Sequence, residues 1–136
     1  MQNLLIFELA RILSFHRNTV EKSMNEIGLH SGQIFILISL WKDDGQTQVE
    51  LSKNLQISPP TVYNMVTRMA ELDLVKLNKC EKDARAMRVH LTEKGQSLQK
   101  SAEKQWEKLE KTVFEGWAET EKMMFSLLLK KFRNIA

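Results

Sequence analysis

One cysteine, two prolines and five glycines are spread over 136 residues. The single cysteine, Cys80, excludes an internal disulfide framework and a four-cysteine zinc site. So little glycine and proline leaves few turns, which predicts long helices and argues against an all-β fold. The patterns GxGxxG, GxxxxGKS/T, HExxH and GxSxG are all absent, which removes common nucleotide-binding, metalloprotease and hydrolase motifs. No nucleophile–base pair is readable, so the chain is not expected to be an enzyme or to need a cofactor. His16, His30 and His90 are scattered and predict no metal site. No apolar run approaches the roughly 20 residues of a bilayer span, so no membrane partner is expected. In the opening MQNLLIFELARIL the first positive charge, Arg11, follows the apolar stretch. That order lacks the basic lead-in and cleavage site of a secretory signal, and a reduced, cytoplasmic protein is expected.

What is present is ordinary globular composition, 43% hydrophobic and 27% charged, with a net charge of +3. This is enough apolar material for a core without staples. The basic bias is mild but uneven: Lys76, Lys79, Lys82, Arg85 and Arg88 crowd one short stretch, opposed there only by Glu81 and Asp83.

Leu5, Leu9, Ile12, His16, Val20 and Ile27 recur at helical spacing and predict a helix over 3–26, stopped near Gly28. Ser31 is the expected cap of a second helix, apolar nearly all round through Ile34, Phe35, Leu37, Ile38 and Trp41, and ended by Asp43-Asp44-Gly45. Thr47-Gln-Val-Glu50 is a capping-box pattern opening a short helix, with Val49, Leu51 and Leu55 expected inside. Ser58-Pro59 predicts the start of a helix over 59–72 that buries Val62, Met65, Val66, Met69 and Leu72. Then the period changes to two, with one strand around Leu74, Val75 and Leu77 and another through Met87, Val89 and Leu91. A polar tip, 78–85, joins them. Thr92 caps a helix expected to run to about residue 117, and Thr120 a last one.

A short helix, a tight turn, a longer helix and a two-stranded hairpin make a winged helix-turn-helix. The fold expected is therefore mainly α with a small β-hairpin wing. We expect a single domain over 1–136: a DNA-binding lobe at 31–92, flanked by a helical dimerisation region at 1–30 and 93–136. The outer helices carry more apolar surface than the small lobe can cover. Leu4, Leu5, Phe7 and Ile12 at one end, and Phe125, Leu128, Leu129 and Phe132 at the other, suggest a homodimer.

Residues 47–95 resemble the MarR family of bacterial transcriptional regulators. TQVELSKNLQISPPTVYNMVTRMAELDLV follows its helix, I-S-x-x-T-V turn and recognition helix, and DARAMRVHLTEKG at 83–95 matches its wing signature D-x-R-x(5)-L-T-x-x-G. The layout of the outer helices extends the likeness over essentially the whole chain. Two positions depart from the pattern: Asn64 stands where the family often has Arg, and Asp73 where it often has Gly. The resemblance implies a ligand-responsive repressor that binds an inverted-repeat operator in double-stranded DNA as a homodimer.

An α-helix fits the major groove, so the outward residues of helix 59–72 are the candidate readers: Ser58 and Thr61 for phosphates, Asn64 for an adenine edge, with Tyr63, Thr67 and Arg68 near enough to contribute. Arg85 at the tip suits a narrow minor groove, and Lys79, Lys82 and Arg88 suit phosphates. Asp83 is expected to pair with an arginine and fix the shape of the wing. The resemblance further implies a cleft for a small aromatic or anionic effector, with Phe15, His16, Met24, Phe35 and Trp106 as candidate lining. Two other readings are kept open: a redox-responsive regulator acting through Cys80, whose neighbouring lysines favour a thiolate, and a helical dimer that serves protein interaction without specific DNA binding.

Overall fold

The computed structural model describes residues 4–83 and 85–133. The order is α1 (Leu5–Asn25), α2 (Ser31–Lys42), β1 (Gln46–Thr47), α3 (Gln48–Leu55), α4 (Pro59–Glu71), β2 (Val75–Lys79), β3 (Met87–Leu91), α5 (Glu93–Val113) and α6 (Glu119–Arg133). The expected element order holds, and the fold is a winged helix-turn-helix with flanking helices. The expected helix start at Asn3 and the Ala84 position of the hairpin tip lie outside the described residues. The chain forms two compact units, Met1–Gln105 and Trp106–Ala136.

In the first unit, α2 is the centre of the core. Ile34, Ile36, Leu37 and Leu40 are fully buried, together with Met24 of α1, Leu51 of α3, Val62, Val66 and Met69 of α4, and Val89 of β3. Removing each such side chain from water is worth about 1.5–3 kcal/mol, so this cluster dominates the stability of the lobe. The capping position of α2 falls on His30 rather than Ser31. Gln33 reaches back to accept from the His30 amide at 3.0 Å, which closes the helix start from the third position.

The Thr47 capping box forms as read: the Glu50 amide donates to the Thr47 hydroxyl at 3.1 Å, and the Thr47 amide to the Glu50 carboxylate at 3.3 Å. Val49 does not turn inward; it is 56% exposed, because the eight residues of α3 present only one narrow face to the core, through Leu51 and Ser52. Gln56 ends α3 in the left-handed region at φ 54°. Leu72 is likewise outside, at the end of α4, where the chain turns away. Asp73 makes that turn at φ 61° without glycine. Its carbonyl accepts from the Thr92 hydroxyl, and Leu74 donates to Met69.

The sheet is antiparallel in the order β1-β3-β2. Gln46 lies opposite Val89, and Val75 to Lys79 lie opposite Leu91 to Met87. Thr92 caps α5, its hydroxyl accepting from the Gly95 amide at 3.0 Å. At Gly95 a side chain would run into the Leu74 carbonyl, and the Gly95 carbonyl takes the Trp41 indole N–H at 3.1 Å. The helix start can press against the start of β2 only because this residue is glycine.

In the second unit, α5 stops at Val113 rather than 117, since Gly116 turns the chain at φ 83°. Trp117 leaves the helix and stacks edge-on with Phe114 at 4.9 Å and with Phe125 at 5.4 Å. Helix α6 begins one residue before Thr120; the Ala118 amide is satisfied by Glu121 at 2.8 Å.

Candidate nucleic-acid interface

Helix α4 is fixed from beneath and open above. Val62, Val66 and Met69 hold one face in the core, while Thr61, Tyr63, Asn64 and Arg68 stand exposed on the other. Thr61, Asn64, Met65, Thr67 and Arg68 line a shallow surface depression. The Ser58 hydroxyl bonds the Thr61 hydroxyl at 2.8 Å rather than a backbone amide. Pro60 removes the amide at the second helical position, one of the two that a capping hydroxyl can use, and with Pro59 it leaves the helix start fewer amides for an anion than a proline-free one. Thr67 is half-buried and spends its hydroxyl on the Tyr63 carbonyl at 2.7 Å. Arg68 makes no ion pair among the described residues, so its guanidinium is not committed to the fold.

The wing tip is shaped by backbone bonds. Cys80 donates to the Ala86 carbonyl at 2.9 Å, and Ala86 to the Asp83 carbonyl at 3.0 Å. Asp83 fixes the turn by accepting from the Arg85 amide at 3.0 Å, not by the expected pairing with an arginine side chain. A carboxylate two residues before an amide closes this local ring with less loss of side-chain freedom than an ion pair would need. Arg85, Lys79 and Lys82 are exposed. Arg88 is half-buried and donates to the Gly45 carbonyl at 2.7 Å, which ties β3 to the turn before β1. Cys80 is 7% exposed. The Lys82 and Asp83 amides, and then the Arg88 guanidinium, hold its thiol below the ordinary value against the opposing pull of desolvation.

The proposed effector residues do not share one environment. Phe15, His16 and Phe35 are exposed, Met24 is sealed in the core, and Trp106 belongs to the second unit, its indole N–H unpartnered among the described residues. No described helix is long and apolar enough to cross a membrane, and no cluster of three metal-ligating side chains occurs among the described residues.

Sequence reasoning missed two residues that set this interface. Asp44 accepts from the Gly45 amide at 3.0 Å and from the Leu91 amide at 2.8 Å, anchoring the base of the wing. Gln46 is buried and fully bonded. The Asp-Asp-Gly turn pattern pointed to the first; for Gln46 no local pattern exists.

A helix-turn-helix whose second helix exposes a polar face, followed by a hairpin whose exposed tip is rich in cations, defines the class of protein. Residues 29–87 match the family model described as the MarR family. The HTH-type transcriptional regulator MgrA of Staphylococcus aureus is 29% identical over 84 residues, 62% of this chain and 55% of that protein. The chain thus matches little more than half the length of that curated relative. A MarR transcriptional regulator from Methanosarcina mazei Go1 superposes with a TM-score of 0.82 at 26% identity, over 93% of this chain and 92% of that one. The S. aureus MepR–DNA complex gives a TM-score of 0.85 at 21% identity, over 98% of each chain, a likeness of fold. The chain is thus similar to the MarR family in the sequence of residues 29–87 and to MarR regulators in its fold.

Proposed function

We propose that this chain is a transcriptional regulator that binds double-stranded DNA as a homodimer, with α4 in the major groove and the hairpin tip in the adjacent minor groove. The observation that carries this reading is the pairing of an exposed, uncommitted α4 face with a wing tip that Asp83 shapes around Arg85. Asn64 and Tyr63 meet base edges, Ser58, Thr61 and Arg68 meet the backbone, Thr67 contributes by packing once its hydroxyl is spent on Tyr63, and Lys79, Lys82 and the remaining donors of Arg88 add phosphate contacts. The dimer rests on the exposed apolar side chains of α1, such as Leu5 and Ile12, and separately on those of α6, such as Leu128 and Phe132. Two-fold symmetry then calls for an inverted-repeat operator with half-sites about one helical turn apart. A small aromatic or anionic effector that favours a different spacing of the two α4 helices would make the protein a ligand-responsive repressor. Its place in the cell is the cytoplasm.

Fluorescence anisotropy with a duplex selected by the protein from a randomised pool tests this reading. Binding should be tight, tied to one sequence, and steeply weaker as salt rises. Equal affinity for every duplex would leave only non-specific attraction. The lowered Cys80 thiol supports a second reading in which thiol chemistry at the wing tip modulates binding; an oxidant response that persists in Cys80→Ser would remove it.

A further inference from the structure

Gln46 is 2% exposed and has its side chain satisfied at both ends. Its amide nitrogen lies 3.0 Å from the Ser39 carbonyl, 3.0 Å from the Ser39 hydroxyl and 2.8 Å from the Asp43 carbonyl. Its amide oxygen accepts from Asn54 Nδ2 at 2.8 Å. Ser39 belongs to the last turn of α2, Asp43 follows that helix, and Asn54 lies in the last turn of α3. Gln46 itself is in β1, opposite Val89 of β3. One residue thus joins two helices of the lobe to the sheet that carries the wing.

The segment around it is bound to the hairpin by several further links. Gly45 donates to the Val89 carbonyl at 3.1 Å, Arg88 donates back to the Gly45 carbonyl, and Asp44 holds the Leu91 amide. Residues 44–47 therefore move with β3, and Gln46 decides where they sit against α2 and α3. Helix α4 packs on α3. An apolar side chain at position 46 could fill the same space, but it would hold the strand at no particular angle. A saturated amide network permits one arrangement, since any slip leaves buried donors or acceptors unpaired.

We propose that Gln46, through Asn54 and the end of α2, is a positioning residue for DNA binding: it sets the wing at the angle to α4 that lets both meet one duplex. This rests on the reading of α4 and the wing as the DNA interface. The test is a double-mutant cycle between Arg85, at the far end of the hairpin, and the network. Dissociation constants for the selected duplex are measured for the wild type, Arg85→Ala, Asn54→Ala and the pair, and again with Gln46→Leu in place of Asn54→Ala. Asn54 is exposed, so its variant keeps the fold and decides the matter should Gln46→Leu fail to fold.

The factor lost through Arg85→Ala should shrink by about fivefold or more once the network is cut, because the tip no longer sits on the groove. A purely structural role would lower the melting temperature and leave that factor unchanged. The same loss in both backgrounds overturns the proposal while leaving DNA binding intact. If Arg85→Ala costs nothing in the wild type, the wing does not reach the duplex and the proposal falls, with the role of α4 then judged by Asn64→Ala. A wild-type protein that selects no duplex ends both readings.

Discussion

At the wing tip, two side chains with opposite exposure have opposite jobs. Arg85 points out from a turn that Asp83 has already closed, so truncating it removes charge without disturbing the fold. Arg85→Ala should weaken DNA binding and flatten its salt dependence, with the melting temperature unchanged; anisotropy at several salt concentrations reads both. Asn64→Ala should cost about 1–3 kcal/mol on the selected duplex and relax its sequence preference. Cys80 lies beneath, its thiolate favoured by the Lys82 and Asp83 amides and the Arg88 guanidinium. Because the folded thiol ionises below its unfolded value, this interaction stabilises the fold fully above the ordinary thiol range and is lost as pH falls through the depressed value. Denaturant unfolding across that window should show a pH slope in the wild type that Cys80→Ser lacks.

Among the elements, the starts of α3 and α5 carry the clearest consequences. Thr47→Ala removes one arm of a complete capping box and should cost about 0.5–2 kcal/mol in thermal or urea unfolding. Gly95→Ala forces a methyl group into the Leu74 carbonyl and should cost about 1–3 kcal/mol, since neither the helix start nor the start of β2 can retreat alone. The α3 cap was legible because its partners lie three residues apart, and so was the outward face of α4, set by helical spacing. Helical spacing did not reveal that Val49 and Leu72 lack cover, because cover comes from other elements. Nor did it stop α5 at Val113: Trp117 continues the apolar period, and the left-handed Gly116 breaks it. The Asp73 turn was foreseen as glycine-free, and aspartate tolerates the left-handed region better than most residues. Gln46 escaped notice because its partners stand on two different helices, and the bond of Arg88 to Gly45 because the two residues are 43 apart in sequence.

For the whole molecule, apolar exposure is the dominant fact outside the lobe. Leu5 is 86% exposed on α1, and Met123, Met124 and Leu127 are exposed along α6. Each helix shows more apolar surface than a solitary soluble protein ordinarily tolerates. Leu128→Asp and Ile12→Asp should each convert a dimer to a monomer in sedimentation experiments and reduce operator affinity steeply, since a single lobe meets half the site. A monomeric wild type would contradict the dimer and the inverted repeat together.

The sheet order has one more consequence. With β3 in the middle, β2 lies on the rim of the sheet, and a bare strand rim invites another molecule's strand to add to it. Here Lys76 and Lys79 stand along that rim, exposed. Like charges would face each other if two such rims approached, so the lysines that make the hairpin attractive to a polyanion also keep these hairpins from zipping together into aggregates.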